Sequence, residues 1–197
     1  MKKSVKTLAF ITIAVFYFMP VAAQLKLPSI NGIGDDVKKV IDNYPNHFTN
    51  LMGELLVENP QSTDYQCNFM VNGAEEAIVT RYPAKKEISS WQALMLTTDN
   101  FEKAKQKFKS LHNQLNNLSV SSANGNYKLK GIYESPEEDK KFTSVLFSFE
   151  PANELVKKLK VEISMQFFAP MEWKVKVLVY DKEREDEERG KTVEESR

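Results

Sequence analysis

The chain has 197 residues, of which 42% are hydrophobic and 27% charged, and its 27 basic residues balance its 27 acidic ones. This composition fits a single globular domain with an adequate core, and it excludes a generally disordered chain and a collagen-like repeat. A basic nucleic-acid-binding protein is excluded too, because there is no excess of positive charge. The single cysteine excludes a disulfide framework within the chain.

The first 23 residues have the three-part layout of a secretory signal peptide. Three lysines precede an apolar run over residues 8–19, and this run is too short to cross a bilayer core, which needs roughly 20 residues. Val21 and Ala23 occupy the two small-residue positions before the cleavage site, so we expect cleavage after Ala23. The sequence thus predicts export to the periplasm or the extracellular space. The competing interpretation is an uncleaved N-terminal membrane helix.

Without the signal peptide the chain has three more acids than bases, so its charge gives no reason to bind nucleic acid or an anionic membrane. Residues 24–34, with one proline and two glycines, are expected to be a flexible leader. From Asp35 onward the apolar residues recur at helical spacing, which predicts a helix with Asp35 as its cap. Pro45 removes an internal hydrogen bond, so this helix should kink there or stop at Tyr44.

A first group of strands follows this helix. Strands are expected near residues 54–57, 65–71, 74–82 and 91–97, with a turn over residues 59–62. Asn72 and Gly73 suit a tight hairpin between the second and third of these strands, because both positions accept positive φ. The fourth strand is apolar on much of both faces and is therefore expected to lie centrally, under a helix.

The second predicted helix is the clearest element. Asp99 stands at its cap position and Glu102 follows three residues later, as in a capping box. An arc of about 100° carries the apolar residues of the segment: Phe101, Ala104, Phe108, Leu111, Leu115 and Leu118. This stripe is expected to pack on the sheet, with the stems of the flanking lysines covering its border.

After a loop that ends at Asn124 and Gly125, four more strands are expected near residues 127–133, 142–150, 159–168 and 172–180. In the last two, apolar and polar residues alternate, which indicates one buried and one solvated face. Short connections favour hairpins, so the predicted fold class is α+β: an antiparallel, largely meandering sheet of about seven strands with two α-helices on one face. The order of elements also suggests an internal duplication of an αβββ unit.

Residues 35–180 are therefore predicted to form a single α+β domain. Residues 181–197 contain one apolar residue, Val193, among eight acids and five bases. Such a segment buries too little surface to offset its ordering entropy, so we expect a charged, disordered tail.

Groups capable of catalysis are few. His47 and His112 each border the apolar stripe of a predicted helix, where packing is the usual role. Cys67 lies on a predicted strand as a buried structural thiol or, alternatively, as a reactive one. No motif of a serine hydrolase, a nucleotide site or a zinc site occurs, so no catalytic residue, metal site or cofactor is predicted. A hydrolase would have to use His47 or His112 as its general base.

The best candidates for ligand binding are large apolar residues: Trp91, Met95, Phe101, Phe108, Met165, Phe168, Met171 and Trp173. All but Phe168 and Met171 could line a space between the helices and the sheet. Phe168 and Met171 belong to an unusually apolar turn over residues 168–173, in which Trp173 is expected to be mostly buried. This turn either covers a helix end or the sheet edge, or forms an exposed apolar tip that contacts a partner or an apolar ligand.

Taken together, these patterns predict an exported, non-catalytic binding or interaction domain with no transmembrane segment in the mature chain. Its expected partner is another protein or a small apolar ligand, and its expected state is a monomer or a weak oligomer. One alternative is an extracytoplasmic hydrolase that uses His47 or His112. The other is an envelope structural or assembly protein that pairs through an exposed sheet edge.

Overall fold

The computed structural model of this chain describes residues 32–82, 88–122, 125–152 and 156–182. The predicted signal peptide over residues 1–23, most of the predicted leader and residues 183–197 of the predicted tail lie outside the described residues. Ile33 is buried in the core and Gly34 begins the first helix. The folded part therefore includes the last residues that the sequence assigns to the leader.

Within the described residues, nine strands form one antiparallel sheet in the order β1-β2-β3-β4-β9-β8-β7-β6-β5. Their bounds are Met52–Asn59 (β1), Ser62–Cys67 (β2), Glu76–Tyr82 (β3), Ile88–Thr98 (β4), Ser119–Ser122 (β5), Gly125–Lys130 (β6), Phe142–Glu150 (β7), Leu159–Phe168 (β8) and Glu172–Asp181 (β9). The chain runs from one edge to the centre through four strands, crosses to the opposite edge and returns to the centre through five. This confirms an α+β fold built on an antiparallel sheet, but the sheet has nine strands and not about seven.

The strand β5 is a segment that the sequence assigns to a loop. Of its four residues only Val120 is apolar, so the segment has no alternating pattern by which a strand is recognised. Val120 is nevertheless buried, and it lies opposite Tyr127 of β6. Pairing with β6 therefore decides this strand, and local sequence does not.

The first helix, α1, spans Gly34–Asp42. Pro45 follows in a 3₁₀ turn over Tyr44–Asn46, so the helix stops ahead of the proline and does not kink. The predicted cap, Asp35, lies inside the first turn, and no side chain caps this end of the helix. In the first turn its carboxylate still interacts favourably with the helix dipole.

The second helix, α2, spans Phe101–Leu115. Its cap is Asn100, whose Oδ1 accepts a hydrogen bond from the backbone N–H of Lys103 at 2.9 Å. The prediction of Asp99 as the cap is wrong by one residue. Both positions carry a side chain of capping type, so only the backbone geometry selects between them.

Both helices lie against the same face of the sheet and share one hydrophobic core. Alternate residues of the central strands point into it, as the period of two along a strand requires. Its buried members include Trp91, Ala93, Val161, Ile163, Met165, Val175, Val177 and Val179 from the strands and Val37, Val40, Phe108, Leu111 and Leu115 from the helices. Burying one such large side chain stabilises the fold by about 1.5–3 kcal/mol.

The connection between β2 and β3 is longer than the sequence predicts. β2 ends at Cys67 and β3 begins at Glu76, which leaves a loop over residues 68–75 that we call the β2–β3 loop. Asn72 and Gly73 do occupy a turn, with Gly73 at φ +71°. That turn lies inside the loop and does not close the hairpin, so the predicted tight hairpin is wrong.

Candidate functional site

Most of the residues predicted to line a binding space are part of the core. Five of the eight are buried: Trp91, Met95, Phe108, Met165 and Trp173. Phe101 packs against Trp173 with ring centroids 5.2 Å apart. The expectation that Trp173 is buried is confirmed. Large apolar side chains in this layer fill the interior by contacting one another, as in any close-packed core.

Phe168 and Met171 lie apart from that group, at the β8–β9 turn. Met171 is 65% exposed, and the Lys174 ammonium lies 5.1 Å from the ring centroid of Phe168. Neither residue lines either of the two pockets described below. The eight predicted residues are thus divided between the core and one exposed turn.

The described residues contain no group of three His, Cys, Asp or Glu side chains placed to hold a metal ion. His47 is exposed, with a left-handed backbone at φ 51°. His112 is buried and stacks on Phe147, and its Nε2 donates to the carbonyl oxygen of Gly131 at 3.0 Å. Cys67 is a free, buried thiol. His112 therefore has a packing role, and the three residues do not meet in an open cleft.

A pocket of about 340 Å³ lies where β7 leaves β8 to pair with β6. Phe147 and Phe149 form part of its wall. Ala152 and Val156 also line it, and the residues between these two are outside the described part of the chain. The pocket therefore supports no assignment of a ligand.

β1 forms one edge of the sheet, and β2 is its only partner strand among the described residues. Its central side chains are apolar yet exposed, with Leu55 at 56%, Leu56 at 44% and Val57 at 49%. Glu54 and Glu58 flank them and are exposed as well. Because an edge strand leaves unpaired backbone N–H and C=O groups along its outer side, this edge of the sheet can accept a further strand.

A groove of about 530 Å³ opens beside β1, between β2, β3 and the β2–β3 loop, and we call it the β1 groove. Most of the residues that line it are apolar, and two carboxylates lie among them. Its lining includes Leu56, Phe69, Met70, Glu75, Glu76 and Leu94. Cys67 and Val71, both buried, also belong to its lining and connect the groove to the core.

Gly53 lets β1 run close to β2 beside the groove. A Cβ at this position would lie 2.9 Å from the backbone oxygen of Gln66, so a larger residue would push the two strands apart. The pairing of the strands is also irregular between Met52 and Leu55. Such an irregularity bends a strand, and here the bend lies next to the opening of the β1 groove.

The β2–β3 loop, which forms one wall of the β1 groove, is attached to both helices. Asn72 N donates to Asp36 Oδ2 of α1 at 2.8 Å, and the Lys107 ammonium of α2 donates to Gly73 O at 3.4 Å. Burial lowers the pKa of Lys107 below its ordinary value, and the negative charge of Glu75 partly offsets that shift. The loop is therefore held by the helices, and the groove is preformed.

Comparisons with protein-family models, with curated proteins and with solved structures find no match for this chain. Across the described residues, neither helix has the length and apolar character needed to span a bilayer. Functional assignment therefore depends on the geometry of β1 and its groove. The sequence predicts a strand near residues 54–57, but it holds no signal that this strand lies at an edge.

Proposed function

We propose that this chain is an exported, non-catalytic interaction domain that binds an extended segment of another protein along β1. The observation that supports this is the eight-residue edge strand, whose central Leu55, Leu56 and Val57 are all exposed. A segment that pairs with β1 satisfies the backbone groups at this edge and covers the three apolar side chains. Both effects contribute favourably to the free energy of binding.

β1 has few of the features that protect edge strands from pairing. Protected edges are commonly very short, carry lysine or proline, or are bent away by β-bulges. β1 is eight residues long, and its sequence MGELLVEN contains neither residue type. Its register irregularities lie between Met52 and Val57, so the pairing is regular from Val57 to Asn59. The last three residues of β1 therefore offer a regular template to a partner strand.

The charge of β1 favours another protein over a second copy of this chain as the partner. Two copies of β1 paired antiparallel about Leu56 would place Glu54 of each opposite Glu58 of the other. Like charges directly opposite each other destabilise a sheet. A segment that carries basic residues meets the same two glutamates favourably.

Export is the part of this proposal that rests on the sequence. Residues 1–23 combine a basic start, an apolar run and small residues before Gln24, as a signal peptide does. The buried Cys67 thiol is compatible with an oxidising compartment, because a buried thiol is protected from disulfide exchange.

We also infer that the two halves of the domain descend from one duplicated helix-plus-meander unit. The topology supports this, since α1 precedes four consecutive antiparallel strands and α2 precedes five. The last strands of the two runs, β4 and β9, pair with each other at the centre of the sheet. The strands of the first run therefore lie on one side of the β4–β9 pair, and those of the second run lie on the other side in the mirrored order.

A random decapeptide library displayed on phage tests the proposed interaction. We expect the purified protein to enrich peptides with alternating apolar residues. Synthetic versions of these peptides should bind Leu56→Lys at least about ten-fold more weakly, because the variant loses an apolar contact and gains a charged edge residue. Leu146→Lys on β7 is the matched control, since Leu146 is 47% exposed and Leu56 is 44% exposed.

Three outcomes would contradict the proposal. The first is a selection in which no peptide rises above background. The second is binding that Leu56→Lys and Leu146→Lys weaken equally. The third is concentration-dependent self-association in light scattering that Leu56→Lys abolishes, which would assign the edge to a second copy of this chain.

A further inference from the structure

We propose that the β1 groove receives a lysine or arginine side chain from the segment bound along β1. This inference rests on the proposed function, and it adds the chemical class of residue that the bound segment carries. The position of the groove, its apolar walls and its carboxylates each support it.

The groove lies where a side chain of the added strand can enter it. Leu56 belongs both to the exposed centre of β1 and to the lining of the β1 groove. Successive side chains of a strand alternate between the two faces of a sheet. One residue of the bound segment, placed beside Leu56, can therefore direct its side chain into the groove, while its neighbours project to the other face.

The walls suit a long side chain with an apolar stem. Leu56, Phe69, Met70 and Leu94 supply apolar surface along the groove. Lysine and arginine bury their methylene stems on such surface and keep the charged head in polar surroundings. The volume of about 530 Å³ lies within the range of small-ligand pockets and accommodates one such side chain.

The charged groups of the groove are negative. Glu75 and Glu76 line it, and its described lining includes no lysine or arginine. Glu75 Oε1 accepts a hydrogen bond from Thr97 N at 2.8 Å, which fixes this carboxylate in position. The Glu76 side chain is exposed and has no hydrogen-bond or ion-pair partner among the described residues. Lys107 of α2 already interacts electrostatically with Glu75, so Glu76 is the main acceptor for a cationic head group and Glu75 adds to the negative charge beside it. An ionised acceptor binds such a group more strongly than a neutral one does.

The test compares each selected peptide with a version in which methionine replaces its basic residue, so that the apolar stem is kept and the charge is lost. The wild-type protein should prefer the basic peptide by about five-fold. The double variant Glu75→Gln with Glu76→Gln should remove this preference, and glutamine at position 75 can still accept the Thr97 hydrogen bond. Glu137→Gln with Glu138→Gln, an adjacent exposed pair before β7, removes the same charge and should keep the preference.

Two results would overturn the inference. One is a selected set of peptides with no enrichment of lysine or arginine. The other is a preference for the basic peptide that persists in the double variant at positions 75 and 76. In either case the proposed function still stands if Leu56→Lys weakens binding and Leu146→Lys does not. Equal effects of those two variants would instead mean that the edge itself is not the binding surface.

Discussion

Replacement of Asn100 with alanine should destabilise the protein through the N-terminus of α2. Asn100 Oδ1 accepts the hydrogen bond of Lys103 N at 2.9 Å, and alanine has no acceptor to replace it. A free backbone donor at the helix end must then be satisfied by water. Asp99 is the natural control, since the capping-box pattern in the sequence favours it and the structure does not use it as the cap.

The expected loss is that of an ordinary helix cap at an exposed site, about 1 kcal/mol of the free energy of unfolding. With a urea m-value of about 2 kcal/mol per molar, this loss lowers the unfolding midpoint by about 0.5 M. In a domain of this size the same loss lowers Tm by about 2–4 °C. Asp99→Ala removes only a carboxylate near the positive end of the helix dipole, which contributes about 0.3 kcal/mol.

Urea unfolding followed by far-ultraviolet circular dichroism measures both losses. Asn100→Asp keeps a side-chain acceptor at the cap position and should unfold at a midpoint close to that of the wild-type protein. If Asp99→Ala lowered the midpoint more than Asn100→Ala, the assignment of the cap to Asn100 would be refuted.

Two further substitutions probe the packing around the helices. In Gly131→Ala the new Cβ would lie 2.7 Å from Val145 Cγ1, so overpacking should lower the free energy of unfolding by about 1–3 kcal/mol, and an unchanged urea midpoint would contradict this. Burial lowers the pKa of Lys107 below its ordinary value of 10.5, so at pH values below the folded-state pKa the charged ammonium reduces the free energy of unfolding. As the pH rises from the folded-state pKa to 10.5, this reduction disappears, because the folded protein then holds Lys107 uncharged. The wild-type protein should therefore gain stability relative to Lys107→Met over that range, and urea titrations showing a constant or opposite difference would rule this out.

The last three strands of the chain could be predicted well from the sequence. The expected strands over residues 142–150 and 159–168 coincide with β7 and β8, and the one over residues 172–180 differs from β9 by one residue. These strands have one buried and one solvated face, so their side chains alternate over nine or ten residues. A pattern of that length distinguishes a strand from a helix without any tertiary contact.

Elements with a weak or misleading local pattern were predicted less well. β5 has a single apolar residue, and its pairing with β6 makes it a strand. Asn72 and Gly73 have the local preference of a tight hairpin, but the N–H of Asn72 is bonded to Asp36 of α1, which holds the loop open. At Asn72 a contact between residues far apart in the chain outweighs a local preference of about 1 kcal/mol. β5 pairs with residues only three to nine positions away, and it was missed because it has too few apolar residues to show an alternating pattern.

The candidate site shows most clearly the difference between what a local sequence pattern predicts and what the pairing of strands decides. Sequence reasoning selected large apolar residues such as Trp91 and Met165, because core residues and pocket residues have the same composition. It did not select Leu56, since nothing in the local pattern of β1 distinguishes an edge strand from a central one. It did not select Glu76 either, because the position of this residue beside the β1 groove depends on how β1, β2 and β3 pair.

Hydrophobic periodicity in this sequence determined that the chain forms an antiparallel sheet covered by helices, because burial of alternate residues depends only on the order of residues along each element. The tertiary structure alone decided which strand lies at the edge of the sheet. It also decided which loop and which carboxylates lie beside that strand. The physical reason is that one pairing joins segments far apart in the chain, that of β4 with β9, and this pairing at the centre of the sheet leaves β1 at the outside. Exposure of Leu55, Leu56 and Val57 is a consequence of that strand order.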